Sequence, residues 1–234
     1  MVFCLFMDFK VDGKTVVVVG GGAEVCRKLQ NFLDSSVEIT VVSREFSDAI
    51  KILAKQGKIK VLQINIKDAQ NFIDQLNPKP DMLLAVTDDS ELNAQLVKAA
   101  KKVGCLVYCV SNPSLSDFIL PAVARVGAVK IAVSTGGRSP AVAKLLRQRV
   151  ERLVTSEDLL TIELQVYLRN LLKGCVADYR LRSELLNETL NNVDIKQALS
   201  EGNLYVAKVL SLKLVQNKEA TIHELSRCTY EKTS

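Results

Sequence analysis

Polar and apolar positions in the first half of this chain alternate between short apolar runs and stretches with helical spacing. The run at 16–19 is unbroken and β-branched, which suits a strand covered on both faces of a parallel sheet. Further strands are predicted at 37–42, 59–64, 82–86 and 106–110. Helices are predicted after the glycines at 20–22, and over 47–56 and 68–76. The segment TDDSELN then places capping residues ahead of an amphipathic helix that runs to Val103. Regular β/α alternation with short connections predicts a doubly wound, Rossmann-like α/β domain over residues 1–113, with ligands collecting at the carboxyl ends of its strands. Gly20 to Gly22, Ser43-Arg44, Thr87-Asp88 and Ser111-Asn112 all fall at those ends.

Past Pro113 the pattern changes. Two apolar stretches flank Gly127, read as an extended segment (118–126) and a strand (128–134), and a helical stretch covers 141–154. These make a middle segment, 114–155. From 156 onward LLTIELQVYLRNLL, SELLNETL and NLYVAKVLSLKL are amphipathic, which predicts a helical tail domain over 156–234. The opening MVFCLFM lacks a basic leader and a small-residue cleavage site, so it reads as a first strand or a packing arm, and the protein is expected in the cytoplasm.

The stretch TVVVVGGGAEVCRKLQ carries the first chemistry. Three consecutive glycines at a strand-to-helix junction let the backbone approach a ligand, and the first free N–H groups of the helix favour a pyrophosphate. The expected dinucleotide contacts are Gly20, Gly21, Gly22, Ala23, Glu24 and Val25, with Ser43 and Arg44 at the ribose and Thr87 and Asp88 across the cleft. Valine stands at the third glycine position of G-x-G-x-x-G, and Glu45 lies beyond the usual acidic position. NAD and NADP both stay open on this evidence: Arg44 suits a 2′-phosphate, and Ser43 or Glu45 a plain ribose.

A second glycine loop, Thr135-Gly136-Gly137-Arg138-Ser139-Pro140, precedes the helix at 141–154. Ser139 fits an N-cap and Pro140 the first helical position, so the loop is either a second anion site beside Arg138 or a simple capped turn.

Composition narrows the class. The 234 residues, 48% hydrophobic and 24% charged, describe an ordinary globular protein with no apolar run near the ~20 residues of a membrane span. A net charge of +5 without a long basic run argues against nucleic acid and for an anionic small molecule. The six cysteines form no C-x-x-C and no cluster with the single histidine, His223, so they read as buried thiols and no metal site is expected. Cys105 and Cys109 share one strand face at about 13 Å, too far to bridge.

Taken in order, VVGGGAEVCRKLQ, TDDSELNAQLV, DFILPAVARVG and STGGRSPAVAKLLR resemble the precorrin-2 dehydrogenase family, which also forms the amino-terminal part of sirohaem synthases. The resemblance spans about residues 7–155, and the family's GGG-x-V form accounts for Val25. It implies NAD-dependent oxidation of precorrin-2 to sirohydrochlorin in a homodimer whose middle segment, 114–155, exchanges between subunits. Some members also insert ferrous iron, a role for which this chain has few candidate ligands. An octacarboxylate substrate suits Thr135, Gly136, Gly137, Arg138 and Ser139, supported by Arg147, Arg149, Arg125 and Lys130.

The chain departs from the family at one point. Many members carry an aspartate, a proposed base, seven residues before the phenylalanine of DF-I-x-P, and here that position is Ser111. Serine is a poor general base without an activating partner. Asp117 could take the role if it faces the cleft, or could be an N-cap or ion pair. Asp88 reads as a cofactor-side or capping residue. Two other functions compete with oxidation: an NAD(H)-binding sensor whose tail docks on a partner, and a tetrapyrrole-binding protein without oxidation activity.

Overall fold

A computed structural model describes residues 5–230, with side chains described up to residue 217. Nine elements alternate in its first part: β1 (Thr15–Val19), α1 (Ala23–Leu29), β2 (Glu38–Ser43), α2 (Asp48–Lys55), β3 (Lys60–Gln63), α3 (Ala69–Gln75), β4 (Met82–Ala85), α4 (Ser90–Lys102) and β5 (Leu106–Cys109). The strands pair in the order β3-β2-β1-β4-β5, all parallel. The chain starts in the middle, winds out to β3, and returns to the other side of β1. A crevice therefore opens at the carboxyl ends of β1 and β4, where the winding reverses.

The valine run explains why β1 is central. Val16 and Val18 join one core cluster with Val25, Leu29 and Ile50, while Val17 and Val19 join another with Phe72, Ile73 and Leu96. Burying both faces is worth about 1.5–3 kcal/mol per valine side chain, so a polar residue in this run has no face to occupy.

Asp81 fastens the opposite end of the sheet. Its carboxylate accepts from the Thr15 amide at 2.9 Å and hydroxyl at 3.1 Å and pairs with Lys14 Nζ at 3.0 Å, joining the starts of β1 and β4. The Thr15 amide, then Lys14, hold its pKa below the usual carboxylate range.

Some expectations need correction. Leu5, Phe6 and Met7 are exposed and lie in no strand, while residues 1–4, Cys4 included, fall outside the described part. Cys105 and Cys109 are buried as expected, but Cys26 is half-buried and Cys175 exposed. Burial, with Asp81 and Asp117 nearby, pushes the Cys105 thiol up to about 12. His223 and Cys228 lie outside the residues with described side chains.

The described chain divides into two compact units: one runs to Pro121 and takes in Gly136–Arg138, the other holds Ala122–Thr135 and everything from Ser139. The second opens with β6 (Ala122–Val126) and β7 (Val129–Val133), an antiparallel hairpin turning at Gly127 with φ +55°. The predicted extended segment at 118–126 is shorter as a strand, because Phe118 and Leu120 pack into the first unit's core and Pro121 has no N–H for a ladder. After α5 (Pro140–Glu151) come α6 (Ser156–Cys175), α7 (Tyr179–Asn191), α8 (Val193–Ser200) and α9 (Leu204–Tyr230). Thr155 and Asp158 form a capping box at the start of α6, and Leu164, Leu168, Ile195 and Ala207 make its core with α8 and α9. Among the described residues no helix is long and apolar enough to cross a membrane.

Candidate functional site

The glycine loop after β1 is shaped by what lies against it. Gly20 donates to Val42 O at 2.8 Å, and Gly21 O accepts from Ser47 N at 2.9 Å, so the loop is tied to the end of β2 and the start of α2. A Cβ at Gly20, whose φ is +135°, would run into the carbonyl oxygen of Val86, and one at Gly21 into that of Glu45. Gly22 differs: nothing lies within 4 Å of the place its Cβ would occupy. It caps α1 without any side-chain hydrogen bond, so the first N–H groups of that helix have no side-chain cap.

An open cleft of about 830 Å³ lies over this loop, a volume within the range of small-molecule and cofactor sites. Gly20, Gly21, Gly22, Ala23 and Glu24 form its floor, Ser43 and Arg44 the β2 side, and Thr87 and Asp88 the β4 side. Open backbone at Gly22, an uncapped helix start and a cleft of this size fit a dinucleotide pyrophosphate. Val25 is not on the surface of the cleft. Its side chain is fully buried, with Cγ2 3.1 Å from where a Gly20 Cβ would be, so it packs α1 beneath the loop.

Glu24 is paired with Arg27 and, at 3.3 Å, with Lys28. Arg44 is exposed, and its carbonyl accepts from Gln63 Nε2 at 2.9 Å, which ties the end of β2 to β3. The capping role weighed for Asp88 falls to Asp89, which accepts from the amides of Glu91 and Leu92 at 3.0 and 2.9 Å, leaving Asp88 exposed on the cleft wall.

Asn93 was not singled out from the sequence. It is fully buried in α4 and reaches back to Thr87, accepting from its amide at 3.1 Å and its hydroxyl at 2.7 Å and donating to its carbonyl at 3.0 Å. Its remaining donor meets Ser111 Oγ at 3.3 Å. An asparagine inside a helix named for its apolar periodicity gave the only signal, since a polar side chain on a buried face must find partners.

The two candidate bases lie apart. Ser111 is exposed just after β5, with Cys109 Sγ 3.5 Å from its hydroxyl. Neither Ser111 nor Asp117 is among the residues that line the cleft. The Asp117 carboxylate accepts from the Val107 amide at 3.0 Å and pairs with Lys101 Nζ at 2.8 Å, near the start of β5 and the end of α4. Partners there hold it at the amino side of the sheet, and of its two readings the ion pair is the one present.

The second glycine loop closes on itself. Thr135 Oγ1 accepts from the Ser139 amide at 3.0 Å and donates to its carbonyl at 3.1 Å, while Ser139 Oγ caps α5 through Val142 N at 3.3 Å. Gly136 and Gly137 hold φ +62° and +79° with open space around them. Arg138 is exposed at the tip. Arg147 is paired with Glu151 at 2.6 Å. The capped turn is thus present, and it presents Arg138 to solvent. Among the described residues no cluster of three His, Cys, Asp or Glu side chains could hold a metal ion.

The chain matches the family model described as "Putative NAD(P)-binding" over residues 6–122 and that described as "Sirohaem biosynthesis protein central" over residues 126–153. It is 32% identical over 200 residues to a precorrin-2 dehydrogenase of Methanosarcina barkeri, covering 84% of this chain and 88% of that one. It is 32% identical over 185 residues to a siroheme synthase of Methylococcus capsulatus, covering 78% of this chain but only 37% of that protein. The chain therefore spans well under half the length of the siroheme synthases it matches. A solved structure titled "SirC, precorrin-2 dehydrogenase" superposes with a TM-score of 0.70 over 92% of this chain and 100% of that chain at 23% identity, a likeness of fold.

Proposed function

The chain belongs to the precorrin-2 dehydrogenase and siroheme synthase family, and from that premise we propose that it oxidises precorrin-2 to sirohydrochlorin with NAD as hydride acceptor. The observation that carries the reading is the cleft over Gly20 to Glu24, with its open Gly22 and uncapped helix start, at the switch point of a parallel sheet. When bound, the nicotinamide supplies the hydride acceptor. The protein's part is to place the substrate carbon against it, exclude water and take up the proton that leaves with the hydride.

The residues divide that work. Ser43 and Arg44 border the ribose end and Thr87 the β4 side. Among the cleft carboxylates, Glu24 is engaged with Arg27 and Lys28, Asp89 caps α4, and Glu45 sits on the β2 side. We assign the proton to Asp88, the exposed carboxylate after β4. The loop of Thr135, Gly136, Gly137, Arg138 and Ser139 holds substrate carboxylates, chiefly through Arg138. Residues 1–113, 114–155 and 156–234 act as cofactor domain, dimerisation and substrate segment, and helical tail. Exposed Val142, Leu145 and Leu146 on α5 support a homodimer, and the enzyme acts in the cytoplasm.

A second reading, a tetrapyrrole-binding protein without oxidation, rests on Ser111 at the family's aspartate position and on Asp117 being held by Lys101. Anaerobic incubation with precorrin-2 and NAD or NADP decides between them. NADH and sirohydrochlorin appearing in equal amounts support the dehydrogenase. Precorrin-2 binding without either product supports the second reading.

A further inference from the structure

We propose that Asn93 is a positioning residue that holds Thr87 in the β4 wall of the cleft and ties that wall to Ser111, an inference that rests on the dinucleotide reading above. Every hydrogen-bonding position of its amide is used: the oxygen accepts twice from Thr87, and the nitrogen donates to Thr87 O and Ser111 Oγ. The orientation of the amide is forced. The Thr87 amide can only donate and its carbonyl can only accept, so the Asn93 nitrogen must be the group that faces Ser111.

Two consequences follow for the cleft. Thr87 is clamped at amide, carbonyl and hydroxyl by one fully buried side chain, so the loop after β4 has little freedom to move away from a bound ligand. Ser111 accepts from Asn93, and Cys109 Sγ lies 3.5 Å from the same hydroxyl, so this serine is tied to α4 as well as to the end of β5.

Asn93→Asp keeps the shape and the oxygen that faces the Thr87 amide. It replaces the donor with an acceptor, which opposes the Thr87 carbonyl and draws the Ser111 proton inward. In the full-length protein, folded by circular dichroism, the variant should bind NAD about tenfold more weakly and lower kcat for precorrin-2. Adding Ser111→Ala should weaken NAD binding no further, because the Asn93–Ser111 bond is already gone. Thr87→Val, a milder change that loses only the hydroxyl, should weaken NAD binding about threefold. A lower melting temperature with parental NAD affinity and kcat would make Asn93 structural only and overturn the proposal. Additive losses in the double variant would overturn the link to Ser111. A parent that binds NAD without oxidising precorrin-2 removes the proposed reaction and leaves the NAD-affinity test of Asn93 intact.

Discussion

The two glycine loops of this protein look alike in sequence and are built differently. Gly20-Gly21-Gly22 is fixed from outside, with Gly20 and Gly21 against the carbonyls of Val86 and Glu45, while the helix it opens carries no side-chain cap. Thr135 to Ser139 is fixed from inside: Thr135 braces Ser139, Ser139 caps α5, and both glycines have open space around them. Gly20 and Gly21 are therefore demanded by packing, whereas Gly22 is open and the helix start behind it has no side-chain cap. The second loop's glycines are demanded only by positive φ, and its helix start is partly satisfied, so the substrate role proposed for it rests on the Arg138 side chain. A run of glycine before a helix says that the backbone turns; its surroundings decide whether backbone or side chain does the binding.

The largest effect should come from Gly21→Ala. Its Cβ has nowhere to go but the Glu45 backbone, so we expect loss of NAD binding and a cost of about 1–3 kcal/mol, read by NAD titration and thermal melting. Gly137→Ala meets no atom and should cost about 1–2 kcal/mol of backbone strain with NAD affinity unchanged. Equal effects on NAD affinity would erase the distinction between the loops. Next, Arg138→Ala should raise the KM for precorrin-2 about tenfold while the Kd for NAD stays at the parental value. Ser139→Ala should lower stability by about 1 kcal/mol in thermal melts, through the lost cap, with NAD affinity intact.

The smallest effect lies at the end of the sheet opposite the first loop and serves as a control for it. The folded pKa of Asp81 is depressed, so its contribution to stability is fully present above the ordinary carboxylate value of about 3.9 and is lost as pH falls through the lower folded value. Asp81→Asn should remove that part of the acid limb of a stability profile, measured by denaturant unfolding at stepped pH, and leave NAD affinity at pH 7 unchanged.

The α/β alternation, the central place of Val16 to Val19 and the position of the glycine loop at a strand end were all legible in the order of residues. These follow from local patterns, a β-branched run with no polar face and glycines ahead of a helix, which any parallel sheet would have to bury in the same way. Of the tail's helices, α6, α7 and α9 were equally legible from their apolar spacing, while the short α8 was not named. Which residues meet was settled by packing. Asp117 and Ser111 are six positions apart, yet one is held by Lys101 near the start of β5 and the other bonds Asn93 beyond its end. Asn93 became a functional candidate only when α4 packed on the sheet and turned its amide toward Thr87. Val25, placed in the site by its motif position, belongs to the core because a helix face and a sheet close over it. Periodicity records which side of an element is buried, whereas hydrogen bonds between distant loops depend on how the buried sides are brought together.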